Sequence, residues 1–101
     1  MDVVDHSPHF WFLLRDGDDL LLDMNCSQSA YGFSVLLVLS EREREEYEKS
    51  GRTALDALAT AVQDSAPMAL HSTSPYRTRD LEPIRGGEVM EAVQRWRSEH
   101  R

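Results

Sequence analysis

Residues 20–40 read LLLDMNCSQSAYGFSVLLVLS, two apolar runs separated by a polar insert, NCSQSAYG, that holds the only cysteine of the chain. In the first run Leu20, Leu22 and Met24 alternate with Leu21, Asp23 and Asn25. This is the period of two by which a strand sends successive side chains to opposite faces, and it suits a sheet with one solvated side. In the second run Phe33, Val35, Leu37 and Leu39 share one face, while Leu36 and Val38 make the other face apolar as well. That predicts a strand that is central or covered on both sides. The Asn, Ser, Gln and Gly of the insert are turn formers, so the insert reads as the connection between the two strands.

Working upstream, FWFLLR (residues 10–15) is aromatic and aliphatic and stops at DGDD, where Asp16-Gly17 offers the positive backbone angles of a tight hairpin. The hairpin and the following strand make a three-stranded antiparallel meander. Residues 1–8, MDVVDHSP, are polar and read as a flexible head.

Working downstream, Ser40 and Glu43 have the spacing of a capping box, in which each side chain satisfies a free backbone donor, so a helix is predicted from Glu41. Its first turns, EREREEYEK, are almost wholly charged. Tyr47, Ala54, Leu55, Leu58 and Val62 then recur at helical spacing, with Gly51 as the point where the helix bends or breaks. Beyond Ala66 come Pro67, Pro75 and Pro83. They limit PMALHS (67–72) to a short fourth edge strand and predict a long surface loop over 72–87. Gly86-Gly87 precede a last helix from Glu88, with Val89, Ala92, Val93 and Trp96 on its buried face. The expected fold is α+β in the order β-β-β-α-(β)-α, an antiparallel meander with two helices packed on one face.

The whole chain of 101 residues, 41% hydrophobic, suffices for one domain with one core. Its apolar runs are far shorter than a membrane span, and its N-terminus carries acidic residues where a secretory signal would be positive. With a single cysteine, which can form no internal bridge, these features point to a cytoplasmic protein. The net charge of −7 disfavours nucleic acid and favours a basic protein partner. The acidity is concentrated: residues 1–66 hold 13 acidic and 5 basic side chains, residues 67–101 hold 5 and 6.

Two segments are candidate binding surfaces. In the charged helix, Glu41, Glu45 and Glu48, joined by Asp16, Asp18 and Asp19, form an acidic face for a basic partner; the plain alternative is a solvated face stitched by Glu45 with Lys49. In the later loop, SPYRTRDL sets the amphipathic Tyr76 beside Arg77 and Arg79, residue types enriched at interface hot spots, with self-pairing to the acidic helix as the alternative. Cys26 with His71 is the one nucleophile–base combination on offer, and no neighbour in sequence activates the thiol. The histidines of HSPH (His6, His9) and the aspartates of DGDDLLLD lack the further ligands that zinc or calcium sites need, so neither metal nor cofactor is expected. In size, acidity and α+β pattern the chain is similar to many small bacterial proteins, including inhibitors and toxin-neutralising immunity proteins, a likeness that transfers no residues. The expectation is a non-enzymatic protein-binding module of inhibitor or immunity type. The alternatives are a small enzyme using Cys26 with His71, and a homodimer that buries the second apolar face of residues 31–39 between subunits.

Overall fold

A computed structural model describes residues 1–7, 10–26, 33–65 and 75–99. Four strands, β1 (Asp2–Ser7), β2 (Trp11–Asp16), β3 (Asp19–Cys26) and β4 (Phe33–Val38), form one sheet in the order β1-β2-β3-β4 with every pair antiparallel. Three helices follow: α1 (Glu41–Ser50), α2 (Arg52–Asp64) and α3 (Glu82–Glu99), with a 3-10 turn at Arg77–Arg79. The fold is α+β, strands before helices. Among the described residues no helix is long and apolar enough to cross a membrane.

The meander has one strand more than the sequence reading assigned. Residues 2–7 are a strand and not a flexible head, because the valines of DVVDHS let it pair with β2, Val3 opposite Leu14 and His6 opposite Phe12. The expected edge strand at 67–72 lies outside the described residues. Asp16 pairs with Asp19 across a two-residue turn, with Gly17 at φ 61°, a backbone angle that glycine adopts without steric cost.

The helices do not share a face. Trp11, Leu13, Leu22, Met24, Val35 and Leu37 pack against Leu55, Ala59 and Val62 of α2. On the opposite face Leu14, Leu21 and Leu36 pack against Val89, Ala92 and Val93 of α3. The face of β3 that its aspartate and asparagine made look solvated is therefore covered where Leu21 stands. β4 lies at the sheet edge, covered on both sides as its double apolar pattern requires. Its second face is packed against α3 of the same chain. The charged helix and the apolar one that follows are separate, broken at Gly51 (φ 62°). The last helix begins at Glu82, earlier than the glycines suggested, and takes up the end of the expected 72–87 loop. Pro83 sits in its first turn, where a missing N–H costs nothing.

Candidate functional site

Helix α1 is held by its ends. Ser40 (φ −69°, ψ 166°) is the N-cap; its hydroxyl accepts from the Glu43 N–H at 3.3 Å while its own N–H donates to Glu43 Oε1 at 2.8 Å. Arg44 donates to the Asp18 carbonyl at 2.7 Å, tying the helix to the β2–β3 turn. Arg79 donates to both Glu43 oxygens, at 2.7 and 3.1 Å, and to the Val38 carbonyl at 2.9 Å. Burial pushes the Glu43 carboxyl up, but the Arg79 guanidinium and the Ser40 N–H outweigh it and hold the group below its ordinary value. At the other end burial, reinforced by the Asp5 carboxylate, raises the Tyr47 phenol.

Despite these anchors α1 buries none of its side chains. Glu41, Glu45 and Glu48, spaced i, i+4, i+7, lie along one exposed stripe. Among the described residues none of the three takes part in an ion pair; the exposed i,i+4 pair of this helix is Arg42 with Glu46 at 3.7 Å, not Glu45 with Lys49. Asp18 and Asp19 stay exposed in the adjoining turn. Asp16 is drawn to the opposite face by Arg85, whose hydrogen bond lowers the Asp16 pKa.

Within the later loop, Tyr76 and residues 79–81 turn toward the sheet. Tyr76 is half-buried against the α2-side core, and Arg79 lies 5.9 Å from its ring. Asp80 accepts from the Leu36 N–H at 3.0 Å, and the Leu81 N–H donates to the Leu36 carbonyl at 2.8 Å. With the Arg79 bond to Val38, these contacts seal the outer edge of β4. The side chain of Arg77 is outside the described set. Cys26 ends β3, paired with Phe33; its side chain, His71 and residues 27–32 lie outside the described residues, as does His9. No group of three or more metal-ligating side chains occurs among the described residues.

A second feature had no signal in the sequence beyond Asp23. Where α3 leaves the sheet face, a cleft of about 610 Å³ opens between the helix and β1–β4, lined by His6, Phe12, Asp23, Met90, Trp96 and Arg97 among others. The Trp96 ring meets His6 at 4.5 Å and Phe12 edge-on at 5.7 Å, and the Arg97 guanidinium lies 5.6 Å from the Phe12 centroid. Asp23 stands in the floor on β3, between Phe12 and Leu36 of the flanking strands, with Oδ1 buried. Neither spacing nor composition brings His6 to Trp96, because ninety residues separate them. Comparison of the chain with protein-family models, with curated proteins and with solved structures gives no match in any of the three.

Proposed function

We propose that the protein is a non-enzymatic, cytoplasmic protein-binding module of inhibitor or immunity type that presents α1 to a basic partner. The observation that carries this reading is a helix without a buried side chain that is nevertheless fixed in place by a capping box, Arg44 and Arg79. A ten-residue helix is marginal on its own, so its order comes from these anchors together with the half-buried Tyr47 against the α2-side core. What the anchors keep exposed is the stripe of Glu41, Glu45 and Glu48, continued toward Asp18 and Asp19. Fixed like charges on one surface accelerate encounter with a basic partner and give specificity against acidic ones. Tyr76 and Arg79 hold the helix against the sheet in this reading and do not themselves reach the partner.

The test is affinity capture from the native host at low and high salt, with the chain and with a variant carrying Glu41→Gln, Glu45→Gln and Glu48→Gln. The expected result is one stoichiometric basic partner, released by salt and not retained by the triple variant. Recovery of no such partner, or equal retention by the triple variant, contradicts the proposal.

A further inference from the structure

We draw no further inference here: the strongest candidate, the cleft between α3 and the sheet, sets Asp23, His6 and Arg97 on one lining and has its rings of His6, Phe12 and Trp96 packed against one another, so nothing in the structure shows what fills or covers it.

Discussion

The two tryptophans show how far a single side chain's role depends on its surroundings. Helical spacing groups Trp96 with Val89, Ala92 and Val93, and those three are buried as the spacing implies. Trp96 is only half-buried, because by that turn α3 has passed the apolar part of the sheet and its ring meets His6 and Phe12 at the cleft. Trp11 is the buried one, 1% exposed, with its indole N–H donating to Asp56 at 2.8 Å and Arg52 stacked 5.8 Å away. Trp11→Ala is therefore expected to cost about 3–5 kcal/mol, the range for deleting a large core side chain. Trp96→Ala should cost about 1–2 kcal/mol, because much less apolar area returns to water. Urea midpoints of the two variants check the ranking, and a larger loss at Trp96 would contradict the placement of both rings.

At the level of elements, local chemistry is legible where it acts locally. The capping box at Ser40 and Glu43 and the hairpin turn at Gly17 are where the sequence places them, because each is a contact between residues no more than three apart. Ser40→Ala should thus cost about 1 kcal/mol, read as a lowered thermal or urea midpoint, and an unchanged midpoint would mean that α1 is ordered by Arg44 and Arg79 alone. Elements supported from a distance are harder to see. β1 looks like a polar head, yet Val3 joins the α3-side core, Arg52 donates to the His6 carbonyl at 2.6 Å and Arg95 to that of Met1 at 2.6 Å. The early start of α3, through Gly86 and Gly87, is secured by Arg85, which binds both Asp16 and Glu88. Helix propensity alone would have ended it there.

For the molecule as a whole, the sealed β4 edge and the outer helix are one structure. Arg79 reaches from the 3-10 turn to the Val38 carbonyl and to Glu43, so the same guanidinium satisfies a β4 carbonyl and orients α1. Glu43 has a folded pKa below its ordinary 4.5, so its contribution is complete above that value and is lost as the pH falls through the lower folded value. Arg79→Met should cost about 2 kcal/mol near neutral pH, since it removes charge-assisted bonds in a half-buried site. The difference from the parent chain should shrink at acid pH, once the pH has fallen through the lowered folded value and Glu43 is protonated in both states. Urea unfolding at the two pH values checks this; an undiminished difference at low pH would show that the Val38 bond, not Glu43, carries the effect.

By itself the sequence determined the class, the antiparallel meander, the hairpin turn, the cap, the break at Gly51 and the exposure of the acidic stripe. All of these follow from periodicity or from contacts between near neighbours, which the chain encodes directly. Only the tertiary structure decided that the helices divide between two faces, that Arg79, Asp80 and Leu81 bond to the edge of β4, and that His6, Asp23 and Trp96 line one cleft. The apolar residues on both sides of β3 and β4 permit either one covering helix layer or two. The choice rests on which helix can reach which face once the connections have folded. That is a property of packing between distant segments, and no local pattern records it.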